Sequence, residues 1–317
     1  MLLSSLLLTI ITLASVFAVG GGQKVEGETP KQSPVIAKKL SADEKRTVTV
    51  LVNDKPVEMS VHDYLARVVA AEMPVSFEPE ALKAQAVAAR TYLERALGSS
   101  KHDNADICTS FDCCQAYIGP KKLRKNWGEN YDIYIQRIED AVEQTDGEYI
   151  SYEGKAALAA FHSSSAGATE NSGAIWNELP YLVSVSSPET KENVPNYISK
   201  LKLKDIDFRD TILYLKPEAD MTGEADTWVG DIKRNDSGRV QKAVIGGVEF
   251  TGAELRSLFS LRSTAFTLKH SNGQFVFTVT GYGHGVGMSQ YGANIMAKNG
   301  SDYREILAHY YPGTTLS

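Results

Sequence analysis

The apolar positions between residues 60 and 98 predict two consecutive helices. Ser60, followed three residues later by Asp63, is typical of a helix start. The positions that then recur at the i, i+3, i+4 and i+7 spacing of one helical face are Leu65, Val68, Val69 and Glu72. Glu72 therefore occupies a place that the pattern otherwise gives to an apolar residue.

A carboxyl at that place, just before Pro74, loses water and lies near the negative end of the helix dipole. Both effects raise the pKa of Glu72 toward the range that suits a general acid. The alternative is a surface glutamate on a fraying last turn. The spacing alone leaves both interpretations open.

The second helix is predicted to begin near Pro79 and to end at Gly98. Its apolar stripe is Leu82, Ala86, Ala89, Leu93 and Leu97. Lys83 and Arg90 lie seven residues apart and share another face, where small alanine neighbours would let a ligand approach the two cations. The alternative is a solvated face on which Arg90 pairs with Glu94 one turn on.

Other segments predict a mixture of helices and strands, and so an α+β fold. Hairpins are expected around Asn53-Asp54 and around Glu153-Gly154. Residues 121–145 have the period of one amphipathic helix, residues 275–280 favour a strand, and Ser289 is expected to cap a helix that runs to Lys298. Residues 201–229 are charged and irregular, and we interpret them as peripheral.

The N-terminus predicts an extracytoplasmic protein. Residues 2–19 carry no charge and are long enough for a transmembrane anchor or a signal segment, so residues 1–19 are expected to anchor the chain, or 1–18 to be removed from a secreted form. Residues 20–45 have the composition of a flexible linker. Residues 46–317 can then form one large domain or two lobes.

The charge balance argues against nucleic acid as a partner. The formal net charge is −6, and the lysines are scattered without a basic tract that could follow a phosphate backbone.

The three cysteines fall within a short segment that contains a histidine. His102, Cys108 and Cys114 are spaced by six residues, and Cys113 is an additional thiol. Such soft ligands could hold Zn²⁺, with water or a distant side chain as the fourth ligand. A disulfide from Cys108 to Cys114 or to Cys113 is the competing interpretation outside the cytoplasm.

Two polar loops complete the candidate residues. His162 precedes three serines that end in Ser165, but the segment lacks the first glycine of a G-x-S-x-G elbow, so a loop that binds sugar or holds backbone is favoured over a serine nucleophile. Alternating glycines at 281–287 lack the features of a phosphate-binding loop. The residues that could line a cleft there, or form a tight structural turn, are His284, Ser289, Gln290 and Tyr291.

Several long stretches together resemble the stage II sporulation protein D family. They are AAEMP, EALKAQAVAARTY, the cysteine segment ending in CQAY, FHSSSAG and GYGHGVGMSQYGA. The resemblance covers residues 46–317 in the expected order, behind an N-terminal membrane segment. The second cysteine at Cys113 and the absence of basic residues before Leu2 depart from the family pattern.

We expect the catalytic region to have two lobes and a substrate cleft, and the resemblance implies a membrane-anchored lytic transglycosylase. Such an enzyme cleaves peptidoglycan glycan strands that an amidase partner has stripped of stem peptides, alongside membrane-protein partners, during engulfment in sporulation. By the same resemblance Glu72 is the catalytic acid, and Lys83 and Arg90 help to bind glycan. A zinc site, which we expect to be structural, falls on His102, Cys108 and Cys114, with Cys113 as the alternative third ligand.

The residues agree with this mechanism in one respect. Hydrolytic glycosidases usually need two carboxylates, whereas only Glu72 has a special setting here. A lytic transglycosylase needs one, because the substrate supplies its own nucleophile. The alternatives are a cell-wall glycan-binding module without catalysis and a zinc amidase or peptidase, for which the H-E-x-x-H motif is missing.

Overall fold

The structure is a computed structural model that describes residues 40–97, 99 and 101–317. The predicted membrane segment, residues 20–39 of the predicted linker and the helix end at Gly98 lie outside the described residues. Within the described part, no helix is long and apolar enough to cross a membrane.

The described residues form helices and short strands in a mixed order, which confirms the predicted α+β class. The helices are α1 (Ala42–Lys45), α2 (Val61–Glu72), α3 (Pro79–Leu97), α4 (Pro120–Trp127), α5 (Tyr131–Glu143), α6 (Asp205–Leu215), α7 (Gly252–Leu258), α8 (Gln290–Lys298) and α9 (Tyr303–Tyr310). The first strands are β1 (Thr47–Val52), β2 (Lys55–Ser60), β3 (Ile107–Cys108), β4 (Ile150–Tyr152), β5 (Lys155–Ala156), β6 (Phe161–His162) and β7 (Ile198–Lys204). The remaining strands are β8 (Val229–Arg234), β9 (Val240–Ile245), β10 (Val248–Thr251), β11 (Phe266–Ser271), β12 (Gln274–Thr280), β13 (Met288–Ser289) and β14 (Thr315–Leu316).

Both predicted hairpins are present. Asn53 and Asp54 have φ of 51° and 62°, and this left-handed turn joins β1 to β2. Glu153 and Gly154, with φ of 49° and 74°, join β4 to β5 in the same way. β1 also pairs in parallel with β3, so Cys108 lies on an edge strand of the first sheet.

The first core surrounds α3. Helices α2, α5, α8 and α9 pack against it, and five alanines of α3, from Ala81 to Ala89, are fully buried between them. Ala84, Ala86, Ala88 and Ala89 therefore let protein backbones approach one another, and do not form an open surface for a ligand.

Two predicted boundaries are wrong. The helix expected over 121–145 is two helices, because Gly128 has φ of 53°, which an α-helix cannot accommodate, and ends α4. Residues 42–45, which we assigned to the flexible linker, form α1, and Asp43 in it is buried.

A second core lies in residues 198–280. Its two sheets have the strand orders β11-β12-β7 and β10-β9-β8, and α6 and α7 cover them. The ring centroids of Phe208 and Phe275 are 3.8 Å apart. Because Phe208 and Ile212 are fully buried in this core, our interpretation of residues 201–229 as peripheral is wrong. Both cores belong to one compact unit, Leu40–Ser317, and the division into two lobes stays a prediction.

Candidate active site

Glu72 is the last residue of α2. Leu65, Val68 and Val69 on the same face are fully buried, whereas Glu72 is half-buried. Met73 then takes an extended conformation with φ of −118°, and the chain leaves the helix toward Pro74. The apolar stripe therefore carries the carboxyl of Glu72 to the edge of the first core, as predicted.

The carboxyl of Glu72 lies in surroundings that favour its neutral form. Burial raises the pKa of Glu72 above its usual range, and the hydrogen bond from the Ala116 N–H to Oε1, at 3.1 Å, opposes part of that rise. No cation of the described residues forms an ion pair with Glu72. The surroundings of Glu72 therefore favour the protonated carboxyl, while one donor stabilises the carboxylate form.

Residues from two distant motifs hold the backbone of Glu72. Gln290, at the start of α8, donates from Nε2 to the Glu72 carbonyl at 3.1 Å. The same amide lies 3.3 Å from Oε1 of Gln85, which is fully buried in α3. Sequence reasoning missed Gln85, although an amide inside an alanine stripe was a visible signal of a polar contact in the core.

Glu72 lines a cavity of about 460 Å³, which we call the Glu72 cavity. Its other lining residues are mainly apolar and aromatic: Tyr92, Phe111, Cys114, Gln115, Leu158, Ala159, Ala160, Phe161, Trp176 and His284. Glu72 is the only carboxylate among the described residues that line it. Phe111 and Trp176 are 75% and 47% exposed, so aromatic faces are available to the apolar face of a sugar ring. An aromatic cavity with few polar groups is a typical ligand site.

His284 is the one predicted substrate-binding residue that lines the Glu72 cavity. Burial, together with the charges of Arg256 and Arg239, lowers the pKa of His284 to about 4, so the imidazole is neutral at pH 7. The Val286 N–H donates to Nδ1 at 3.1 Å, which leaves the ring proton on Nε2. The ring also donates to the Phe161 carbonyl, so His284 is a neutral imidazole beside the acid that backbone groups hold in place.

Other predicted substrate-binding residues are buried supports for the loops, which contradicts their assignment. His162 lies 3.2 Å from the Val286 carbonyl through Nδ1 and 2.8 Å from the Ser165 hydroxyl through Nε2. Oε1 of Glu189 accepts from the Ser165 N–H at 2.7 Å and from the Ser289 hydroxyl. His162, Ser165 and Ser289 are at most 4% exposed, so they join the two polar loops to each other and do not face a ligand.

Gln290 and Tyr291 are also turned to the protein. Gln290 is 7% exposed, and its side-chain amide donates to the Glu72 carbonyl. Tyr291 packs edge-on against Phe77, with ring centroids 5.0 Å apart, and is outside the residues that line the Glu72 cavity. Ser289 caps α8 as predicted, because its hydroxyl accepts from the Gly292 N–H at 3.2 Å.

Arg90 is fully buried, so the prediction that it binds glycan is wrong. Its Nη2 lies 2.6 Å from Oδ2 of Asp43 and also donates to the Val142 carbonyl at 3.2 Å, and its Nη1 donates to the Glu148 carbonyl at 2.9 Å. The alternative pairing with Glu94 is also absent, because Glu94 pairs with Arg46. Arg90 joins α1, α3 and the end of α5.

Lys83 is also paired within the protein. Its Nζ lies 2.6 Å from Oε1 of Glu80 and 5.8 Å from the ring centroid of Tyr303. Lys83 does not line the Glu72 cavity. The structure therefore brings neither predicted cation to the acid.

The predicted metal residues do come together, and Cys113 joins them. The ligand atoms of His102, Cys108, Cys113 and Cys114 all lie within 4.8 Å of one another, and the three cysteines are free thiols. Nε2 of His102 is 3.3 Å from Sγ of Cys114 and 3.8 Å from Sγ of Cys113. The two sulfurs of Cys113 and Cys114 are 3.8 Å apart.

These separations fit a tetrahedral metal site. Zinc bonded to sulfur and imidazole nitrogen at its usual lengths places two sulfurs about 3.8 Å apart and a sulfur and a nitrogen about 3.6 Å apart. The cluster could therefore hold a metal with four protein ligands. Cys114 also lines the Glu72 cavity, and the next residues, Gln115 and Ala116, contribute a cavity wall and the donor to Glu72.

Comparisons with known proteins agree on one family. The family described as SpoIID, Stage II sporulation protein, matches residues 52–152. The chain is 39% identical to stage II sporulation protein D of Bacillus amyloliquefaciens, over 91% of this chain and 80% of that protein. It is 37% identical to stage II sporulation protein D of Bacillus subtilis (strain 168), over 92% and 81%. It is 30% identical to the amidase enhancer of the same strain, over 80% of this chain and 40% of that protein.

Proposed function

The chain belongs to the stage II sporulation protein D family, and we propose that it is a lytic transglycosylase that cleaves the glycan strands of peptidoglycan during sporulation. The names of its relatives support a role in sporulation and, through an amidase enhancer, a role at the cell wall. The observation that carries the proposal is Glu72, which has a raised pKa and is the only carboxylate among the described residues that line the aromatic Glu72 cavity.

In the first step, Glu72 donates its proton to the glycosidic oxygen. The bond between that oxygen and C1 of the muramic sugar breaks, and positive charge develops at C1. Burial raises the pKa of Glu72 and so favours its protonated form, which a general acid requires. The carboxylate formed is stabilised by the Ala116 N–H at Oε1.

In the second step, the 6-hydroxyl of the same sugar attacks C1 and gives its proton to Glu72. A 1,6-anhydro bond forms, Glu72 returns to its protonated state, and no water is consumed. A single carboxyl performs both transfers, so the mechanism does not require a second acid in the Glu72 cavity. The neutral ring of His284 forms part of the cavity wall next to the acid.

The surface next to the Glu72 cavity supports a polymeric substrate. A neighbouring cavity of about 380 Å³ is lined by Arg95, Lys101 and Asp106 and shares Tyr92, Cys114 and Leu158 with the Glu72 cavity. Sugar units on one side of the cleaved bond can therefore continue along the protein. A site for an isolated monosaccharide would not need this extension.

We further propose that His102, Cys108, Cys113 and Cys114 hold Zn²⁺ in a structural role. Zinc would supply a cross-link there, because four protein ligands would leave no open position for a water. The segment held by these ligands continues directly into Gln115 and Ala116. Their positions relative to Glu72 therefore depend on the order of the cysteine segment.

The site also has a proposed setting outside the cytoplasm. Residues 2–19 would anchor the protein in the cell membrane, or would be lost in part from a secreted form. An amidase that removes stem peptides would supply the stripped strands, and membrane proteins of engulfment would position the enzyme.

Turnover of purified, peptide-free glycan strands tests this proposal. Wild-type protein should cleave them, and Glu72→Gln should lower the rate by about 10²–10⁴-fold, because the amide keeps the shape but cannot transfer the proton. Glu94→Gln makes the same chemical change where the carboxylate pairs with Arg46, and should retain the wild-type rate.

A glycan-binding module is the second candidate, because exposed Phe111 and Trp176 would serve binding as well as catalysis. Strands that bind to the wild-type protein and are never cleaved would establish that candidate. Equal turnover by wild type and Glu72→Gln would remove Glu72 from the mechanism.

A further inference from the structure

A second cavity lies next to the Glu72 cavity and contains two arginines. It has a volume of about 470 Å³, and its lining includes Arg256, Arg262, Ser257, Ser260, Tyr282 and His284. We call it the arginine cavity. His284 lines both cavities, and Ile175 of the arginine cavity is followed in the chain by Trp176 of the Glu72 cavity. A strand that lies across Glu72 can therefore extend into the arginine cavity.

The two guanidinium groups have no anionic partner among the described residues. Arg262 donates from Nη1 to the Asn196 carbonyl at 2.9 Å and lies 4.4 Å from the ring centroid of Tyr282. Arg256 donates from Nε to the Leu261 carbonyl at 3.3 Å. These contacts hold each side chain in place but leave both positive charges without a counter-ion.

A nearby arginine, Arg239, differs because a carboxylate lies close to its guanidinium group. Arg239 is 1% exposed, and its Nε lies 3.7 Å from Oε2 of Glu170. Arg256 and Arg262 are more exposed and have no such carboxylate. The whole chain carries a formal charge of −6, whereas this concave site contains two arginines without an ion-pair partner within the described part of the chain. The local charge of the arginine cavity is therefore opposite in sign to the net charge of the chain.

We propose that the arginine cavity binds the free lactyl carboxylate of a muramic sugar in the strand, and so selects glycan from which the stem peptide has been removed. Attached to its peptide, this carboxyl is a neutral amide; after removal it is an anion. Guanidinium groups bind carboxylates by paired, charge-assisted hydrogen bonds that an amide cannot reproduce. This inference rests on the proposed cleavage of glycan and names the group by which the substrate would be selected.

The test compares strands from one preparation that differ only at the lactyl carboxyl. One portion carries the free carboxylate, and the other is converted to the neutral methylamide. The proteins are wild type, Arg256→Gln, Arg262→Gln and Arg262→Lys, with Arg209→Gln as the control, because Arg209 lies on α6 and pairs with Asp210. Thermal unfolding checks that each variant is folded.

Wild type should cleave the carboxylate strands about 10–100-fold faster than the methylamide strands, expressed as kcat/KM. Arg262→Gln and Arg256→Gln should lose most of this preference. Their kcat/KM should fall on the carboxylate strands and change little on the methylamide strands. Arg262→Lys should keep part of the preference, and Arg209→Gln should keep all of it.

Binding of both strands to Glu72→Gln separates this inference from the proposed function. The inference is supported if Glu72→Gln binds the carboxylate strands more tightly than the methylamide strands and the added change Arg262→Gln removes this preference. That result supports the inference even if the wild type cleaves neither strand; only the transglycosylase proposal then fails. Equal binding and equal cleavage of the two strands by wild type would overturn the inference. An equal loss of kcat/KM on both kinds of strand in the arginine variants would also overturn it.

Discussion

Glu72 and Arg90 are ionisable residues on neighbouring helices of the same core, yet their surroundings differ in one respect. Arg90 is fully buried and is matched by the carboxylate of Asp43 and by backbone carbonyls. Glu72 is half-buried, with one N–H donor and no cation. Compensation distinguishes a charge that holds the fold from a charge that is available for chemistry. By the same criterion Arg239 is structural, and Arg256 and Arg262 are free to bind an anion.

The largest expected effect concerns the compensated charge. Arg90→Ala leaves Asp43 buried without its partner, which should lower the free energy of unfolding by about 3–5 kcal/mol. Denaturant unfolding measures this loss. The matched control is Arg46→Ala, because the Arg46–Glu94 pair is more exposed and should contribute less than about 1 kcal/mol.

Activity measurements further distinguish a structural role of Arg90 from a role in substrate binding. The fraction of Arg90→Ala that remains folded should cleave glycan at the wild-type rate, because the guanidinium does not reach the Glu72 cavity. A normal unfolding curve combined with weak glycan binding would restore the substrate-binding assignment of Arg90.

Removal of metal should affect Glu72 through the cysteine segment. A chelator, or Cys108→Ser, should lower the cleavage rate by about 10²-fold, because a displacement of about 1 Å in a catalytic group has an effect of that size. Metal analysis should find one zinc per chain in the active protein. A zinc-free protein with full activity would disconnect the cluster from the acid, and a loss of free thiols would favour a disulfide.

The pH dependence should report the uncompensated setting of Glu72. The general acid is needed in its protonated form, so kcat/KM should fall as pH rises through the raised pKa of Glu72. His284 should not add a limb near neutral pH, because its pKa is lowered to about 4. A profile governed by a group with an ordinary carboxyl pKa would show that burial does not set the acidity of Glu72.

The stability of the fold should also depend on pH through the raised pKa of Glu72. A carboxyl whose pKa is raised on folding stabilises the fold below its unfolded pKa, and that contribution is lost as pH rises through the folded pKa. Glu72→Gln should therefore unfold at a higher temperature than wild type at pH 8, and at the same temperature at pH 3. Thermal unfolding at both pH values measures the difference.

The smallest effect is expected at Lys83. Lys83→Ala removes a partly exposed pair with Glu80, so the unfolding free energy should change by less than about 1 kcal/mol and the cleavage rate should stay at the wild-type value. Initial rates on peptide-free strands measure this. A large loss of rate with unchanged stability would place Lys83 back at the substrate.

Local patterns in the sequence predicted local structure well. The caps at Ser60 and Ser289, the left-handed turn at Asn53-Asp54 and the position of Glu72 at the end of an apolar stripe are all set by neighbours within a few residues. The clustering of His102 with the cysteines was also visible, although the participation of Cys113 depended on the turn between them.

Contacts over long separations were not predictable in this way. The prediction that Arg90 binds a ligand fails because its partner, Asp43, lies 47 residues away in a segment with linker composition. Phe111 and Trp176 come from loops without a periodic pattern, so nothing in the sequence placed them beside Glu72. The unpaired state of Arg256 and Arg262 could be recognised only once their neighbours were known.

The most direct test of the central claim is mass spectrometry of the products formed from peptide-free strands in water enriched in heavy oxygen. If Glu72 acts alone, the new ends should be 1,6-anhydro sugars, about 18 mass units lighter than reducing ends, without label from solvent. Labelled reducing ends alone would contradict this account. They would require a second carboxylate to activate water, with Asp106 in the neighbouring cavity as the first residue to replace.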